Sequence, residues 1–166
     1  MSVVAVKVYE NEIVMSADSI IIHGEADKVP VGRGKIFEVN GMLIGSSGLA
    51  SEGIHMALFA ESHTPLEMTD REITKYMNEF YTWREREFGA TCEKDTNQHL
   101  IAYKGKVFYC HRGYVGEVTD WFAIGAGQNY ASAALYLGHS PAEAVKVACA
   151  LNCFVSEPII TKSIRR

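Results

Sequence analysis

The sequence contains no run of about 18 apolar residues, the length a helix needs to cross a bilayer. Its first residues alternate with Lys7, Glu10 and Glu12 instead of forming a basic and then apolar leader. A cytoplasmic protein without membrane contact is expected. Nor is there any stretch of five or six like charges. With 16 Lys+Arg against 20 Asp+Glu the formal net charge is −4, which lacks the basic footprint of a nucleic-acid partner. CxxC, HxxxH and HExxH spacings are all missing. Cys92, Cys110, Cys149 and Cys153 read as free, mostly buried thiols. Cys149 and Cys153 would share a helix face and Cys110 abuts His111, but no second pair completes a four-ligand set. Neither a metal nor a cofactor is expected, and the six scattered histidines read as surface or packing residues.

What the sequence does contain is material for one packed core. At 166 residues, with 48% hydrophobic, 10% aromatic and 22% charged side chains, it matches a globular protein and argues against disorder. No linker, repeat or low-complexity segment divides it, so residues 1–166 are expected to form a single domain.

Hairpins dominate the first part. Val3 to Val8 and Ile13 to Ser16 read as strands joined by the turn Tyr9 to Glu12. Ser19 to Val31 reads as an irregular excursion around Ile20-Ile21-Ile22. Lys35 to Val39 and Met42 to Ile44 flank Asn40-Gly41, a strong turn because both residues tolerate positive φ. Gly45-Ser46-Ser47-Gly48 is expected to break the second of these strands. Helices are expected over Leu49 to Ser62 and over Asp70 to Phe88, the latter capped by Thr69 or Asp70 and ended by Gly89. Leu100 to Tyr103 and Lys106 to Cys110 form another hairpin, and Trp121 to Ile124 a further strand. Asn129 to Leu137 is a helix ended by Gly138. In the next helix Ser140, Pro141 and Glu143 make an N-cap, a first-turn proline and a capping box. Ile159 to Ser163 is a last strand. Hairpin-rich sheets cannot be the parallel sheet of a dinucleotide fold. The order implies an α+β class, a four-layer α/β/β/α sandwich with two antiparallel sheets.

Gly125-Ala126-Gly127 imitates the start of a phosphate loop, but Tyr130 occupies the third glycine position and no βαβ unit surrounds it. A tight strand-to-helix turn is expected there. The N-terminus carries more chemistry. The first hairpin returns Asp18 to the chain start, sixteen positions after Ser2, and Lys35 opens the next strand. A hydroxyl at a free N-terminus can use its own α-amine as base, and that amine's pKa of about 7.7–8.0 suits proton transfer at neutral pH. The same spacing also fits a turn-capping Asp18 and a surface ion pair of Lys35.

Five blocks, Ser2 to Val6, Met15 to Ser19, Gly34 to Phe37, Asn40 to Gly48 and Ala123 to Gly127, resemble in order and spacing the successive blocks of proteasome β-type subunits, and in particular the bacterial HslV type. The resemblance covers nearly the whole chain. It implies the N-terminal nucleophile (Ntn) hydrolase sandwich, assembly of copies into a chambered ring and hydrolysis of peptide bonds in peptides or unfolded proteins. A ring ATPase is a further partner it implies. On this resemblance Ser2, after removal of Met1, stands at the family's N-terminal threonine, Asp18 and Lys35 at its acidic residue and lysine, and the amide of Gly45 at its oxyanion-hole donor. The enzyme implied is an N-terminal serine peptidase of threonine-protease type; the alternative is a silent structural or assembly subunit on the same fold. Three departures stand out. Serine lacks the methyl that restricts χ1 of threonine. Ala126 replaces a serine that supports the terminal amine. Asn152 or Ser156 stands where the family places an aspartate. An alignment shifted by one residue, placing Met1 on the nucleophile, breaks the spacing to Asp18.

Other residues have plain readings. Trp83 and Trp121 read as packing, and Arg84-Glu85-Arg86-Glu87 as a solvated helix end. Ser46, Ser47 and Ser51 either line a substrate groove or fill a loop.

Overall fold

Alternation along the first strand sets the layers: Val4 and Val6 enter one core while Val3 and Ala5 enter another, so this strand must be covered on both faces. The computed structural model describes residues 2–23, 27–30, 34–89 and 97–166. In chain order the elements are β1 (Val4–Val8), β2 (Glu12–Asp18), β3 (Ile20–His23), β4 (Asp27–Pro30), β5 (Ile36–Val39), β6 (Met42–Ser47), α1 (Ala50–Ala60), α2 (Asp70–Phe88), β7 (Gln98–Tyr103), β8 (Lys106–His111), β9 (Tyr114–Val118), β10 (Trp121–Ile124), α3 (Gln128–Tyr136), α4 (Pro141–Leu151) and β11 (Ile159–Arg165).

One sheet runs β10-β1-β2-β11 and another β5-β6-β7-β8-β9, all pairings antiparallel. Between them lies an aliphatic core of Val4, Val6, Ile13, Met15, Leu43, Leu100 and Ile124. The five-stranded sheet turns Met42, Ile44, Ile101 and Phe108 toward Met56 and Phe59 of α1 and Ile73 and Phe80 of α2. The four-stranded sheet is covered by α3 and α4 through alanines, Ala131, Ala134, Ala144 and Ala148, whose small side chains let the two helices lie close. The α/β/β/α sandwich expected from the sequence is the fold found. Burying a side chain the size of Phe108 contributes about 1.5–3 kcal/mol.

Helix ends follow their local chemistry. Thr69 Oγ1 accepts from the Glu72 amide at 3.3 Å, and α2 stops at Gly89 with φ +79°. Ser140 and Glu143 form the reciprocal capping box of α4.

Two expectations are corrected, and one strand is added. Ser19 to Val31 is not irregular throughout: β3 and β4 pair in the register Ile20↔Pro30 to His23↔Asp27, since a run of three isoleucines favours extended backbone. Strand β6 does not break at Gly45 but runs to Ser47, both faces buried and its ladder with β7 extending to Gln98. Strand β9 went unread. It follows a turn with positive φ at Arg112 and Gly113, the same conformation as Asn40-Gly41 and Lys104-Gly105.

Candidate active site

The hairpin register delivers the site. Val4 lies opposite Ala17, so the next pair outward is Val3 and Asp18, and the Asp18 amide donates to Val3 O at 3.3 Å. The Asp18 carboxylate then folds back on the same residue: Oδ1 accepts from the Val3 amide at 2.8 Å and Oδ2 from Lys35 Nζ at 2.6 Å. Asp18 is fully buried and the Lys35 side chain is 10% exposed. Burial pushes the Lys35 ammonium below its ordinary pKa, with the Asp18 carboxylate opposing that shift. A buried carboxylate with both oxygens satisfied is the arrangement that makes such a charge tolerable. The reading of Lys35 as a surface ion pair is thereby corrected.

Ser2 and Lys35 border one cavity of about 680 Å³. Its polar edge is Ser2, Lys35 and Ser46; its walls are Ile20, Ile21, Ile22, Phe37, Leu49 and Ile54, with Gly34, Gly48, Ala50 and Gly53 between. Ser46 therefore faces the cavity, whereas Ser51 is exposed on α1 and is not among the lining residues.

The Gly125–Gly127 turn is a cradle for the chain start. The Gly127 amide donates to Ser2 O at 3.2 Å. At Gly125, φ is +92°, and a Cβ would lie 2.5 Å from Ser47 Oγ and collide with the Ser2 carbonyl. At Gly127 a Cβ would lie 2.9 Å from Val3 Cβ. Gly125 is needed because backbone passes against backbone, and Gly127 because the side chains of Val3 and Ala148 leave no room for a Cβ. The Gly125 amide donates to Gln98 Oε1 at 2.9 Å, and Asn152 Nδ2 donates to Ala126 O at 2.8 Å. Of the two residues considered for the missing aspartate, Asn152 is the one bonded to this turn.

Gly45 is placed differently from its three expected companions. It pairs with Ile36 and Leu100 inside the ladder, and a Cβ would lie 2.7 Å from both Val4 Cγ1 and Met15 Sδ. That gives it a packing reason, to let the two sheets approach. The stretch it begins reaches the cavity at Ser46 and Gly48.

Cys149 on α4 has its thiol pushed up to about 11, first by burial and then by Asp18 and Glu157. Cys110 is pushed up to about 12 by burial. Both are neutral thiols at physiological pH, which makes them poor nucleophiles. Cys153 is exposed, against expectation, and Cys92 lies outside the described residues.

A second charged cluster was missed from the sequence. Arg84 does not belong to a solvated helix end: its Nη1 lies 2.7 Å from Glu52 Oε2 and both side chains are buried. His99 Nε2 stands 3.9 Å from Glu52 Oε1. The signal was helical periodicity. Glu52 shares a face with Met56 and Phe59, and Arg84 with Ile73, Met77 and Phe80, so both charges fall on buried stripes. Glu85, Arg86 and Glu87 are exposed, with Arg86 2.9 Å from Glu87, and fit the solvated reading. Trp83 and Trp121 are partly buried against the cores as expected.

No protein-family model matches the chain, and no curated protein matches it. Solved structures do. BPH from Thiobacillus denitrificans, in complex with epoxomicin, superposes with a TM-score of 0.88 over 98% of both chains at 19% identity. HslV from Trypanosoma brucei gives 0.71 over 99% of both at 15% identity. Anbu, an ancestral β-subunit from Yersinia bercovieri, gives 0.69 over 98% of this chain and 81% of its own at 15% identity. The chain has the HslV-like, proteasome β-type fold. Identities this low carry the HslV-like fold and nothing of its chemistry, which has to be argued from the residues around Ser2. Among the described residues, no helix is long and apolar enough to cross a membrane.

Proposed function

We propose that residues 1–166 form a single N-terminal nucleophile peptidase subunit of HslV type, cleaving peptide bonds through Ser2 once Met1 has been removed. The observation that carries this reading is Asp18: one buried carboxylate that fixes the backbone at Val3 with one oxygen and the Lys35 ammonium with the other, beside Ser2 at the rim of a cavity. The fold supports it, and so does the binding of epoxomicin by BPH, a structural neighbour.

In the proposed reaction the free α-amine of Ser2 takes the Oγ proton as Oγ adds to the peptide carbonyl. The oxyanion is met by a backbone amide of the Gly45–Gly48 stretch, worth several kcal/mol in a preorganised site. The amine then passes its proton to the leaving nitrogen, the C–N bond breaks and an ester remains on Ser2. Water, deprotonated by the same amine, hydrolyses that ester and frees the acid. Lys35, held by Asp18, supplies positive charge beside the hydroxyl and favours the neutral form of the α-amine. The apolar walls, Ile20, Phe37, Leu49 and Ile54, suit an apolar side chain on the acyl side of the cleaved bond.

Activity in the cytoplasm, a homo-oligomeric ring and a ring ATPase that feeds it unfolded chains belong to the same proposal. The second reading, a silent structural subunit, is favoured by Ala126, which offers the chain start no hydroxyl. Hydrolysis of fluorogenic apolar peptides separates the two. Turnover that is abolished by Ser2→Ala supports the peptidase; turnover unchanged by that substitution removes Ser2 from the mechanism. A monomeric mass in light scattering at micromolar concentration contradicts the ring.

A further inference from the structure

We propose that Asn97 is the positioning residue for the peptide-facing wall of the cavity, an inference that rests on the peptidase reading of that site. The pairing of β5 with β6 gives out where the Ser46 amide donates to Lys35 O at 3.0 Å. Past that point the chain runs through Gly48 and Leu49 along the cavity, beyond the paired length of β5. Its geometry is set from the other side.

Asn97 lies fully buried immediately before β7 and grips this stretch three times. Its Oδ1 accepts from the Leu49 amide at 2.6 Å, and its Nδ2 donates to Leu49 O at 2.9 Å and to Ser46 Oγ at 3.2 Å. A single carboxamide thus holds both backbone groups of one wall residue and the side chain of another. Only this orientation of the amide works, because the reverse would set donor against donor at the Leu49 amide. Gly48 makes room for the clamp: its φ is +133°, and a Cβ there would lie 2.6 Å from Asn97 Cγ and 3.0 Å from Asn97 Cα. An extended peptide docking on this wall would meet backbone already fixed before it arrives, which lowers the ordering cost of binding. A small acyl group on Ser2 would gain less from it, since only its oxyanion meets this stretch.

The test compares Asn97→Ala and Asn97→Asp with the parent; the aspartate keeps the shape and the acceptor and loses both donors. Amide hydrogen exchange at Leu49 is expected to quicken at least tenfold in Asn97→Ala, with the β7–β8 ladder unchanged. Binding of an extended apolar hexapeptide, measured by calorimetry in a Ser2→Ala background, should weaken at least tenfold in Asn97→Ala and less in Asn97→Asp. Acylation of intact Ser2 by a small activated ester, which uses this stretch only through its oxyanion-stabilising amide, should fall less than peptide binding does. Unchanged exchange at Leu49, unchanged peptide affinity, or equal losses for ester and peptide would each overturn the assignment. Peptide binding that depends on Asn97 without hydrolysis by any variant would contradict the peptidase reading and leave the clamp standing. Failure of the parent background to bind the peptide would overturn both.

Discussion

Two buried carboxylate–cation pairs of nearly equal length do different work. Asp18 and Lys35 are 2.6 Å apart, and Glu52 and Arg84 are 2.7 Å apart. Asp18 spends its second oxygen on the Val3 amide, and Lys35 edges an open cavity. Glu52 and Arg84 face each other between α1 and α2, with His99 as the third member. The first pair joins a backbone to a cavity, the second joins helix to helix. Burial and charge alone therefore do not mark a candidate active site. What distinguishes the Asp18 pair is its backbone partner at the chain start and its access to a cavity.

The comparison predicts unequal effects, the largest on activity. Ser2→Ala and Lys35→Ala should each lower kcat on apolar peptides roughly 10³-fold or more with the far-UV spectrum intact. Loss of less than tenfold for both would remove the Asp18 pair from the chemistry. Next in size is stability. Glu52→Gln leaves the Arg84 charge buried without its counter-charge and should cost about 3–5 kcal/mol in urea unfolding, with kcat per folded molecule retained. The double replacement Glu52→Leu with Arg84→Met should recover most of that loss. If the double variant is as unstable as the single one, the pair is more than an ion pair between helices.

A smaller effect is expected with pH. Burial holds the folded Lys35 pKa below its ordinary 10.5, so across that window the folded chain binds fewer protons than the unfolded one, and stability from this group rises with pH. Wild type should gain stability relative to Lys35→Met as pH climbs toward 10.5, and the alkaline limb of kcat/KM should fall below the usual lysine range. A flat stability difference would contradict the burial of Lys35. The smallest changes test the supports. Gly45→Ala, crowding Val4 and Met15, should cost about 1–3 kcal/mol, and Asn152→Ala, losing its bond to Ala126 O, about 0.5–1.5 kcal/mol.

The contrast also explains what could be read from the amino acids. Asp18 was legible because hairpin register is arithmetic: a turn at Tyr9 to Glu12 forces residue 18 back to residue 3. The capping box of α4 was legible because caps are local chemistry. The Glu52–Arg84 pair spans two helices and was hidden beneath a charge pattern that resembles a solvated surface. β9 was hidden because Arg112-Gly113 makes a positive-φ turn without the asparagine that advertises Asn40-Gly41. Asn97 and the extension of β6 to Ser47 depend on packing across the sheet, where a glycine and two serines read locally as a break. The five family-like blocks supplied the proposed roles of Ser2 and Lys35; the structure supplied the contact that links Lys35 to Asp18.

The most direct test of the central claim is the intact mass of the chain purified from a host with methionine aminopeptidase, taken before and after brief exposure to a peptide ester. The account predicts a chain that begins at Ser2 and gains one acyl group, with no gain in Ser2→Ala. A chain that keeps Met1 throughout and takes up no acyl group would contradict it.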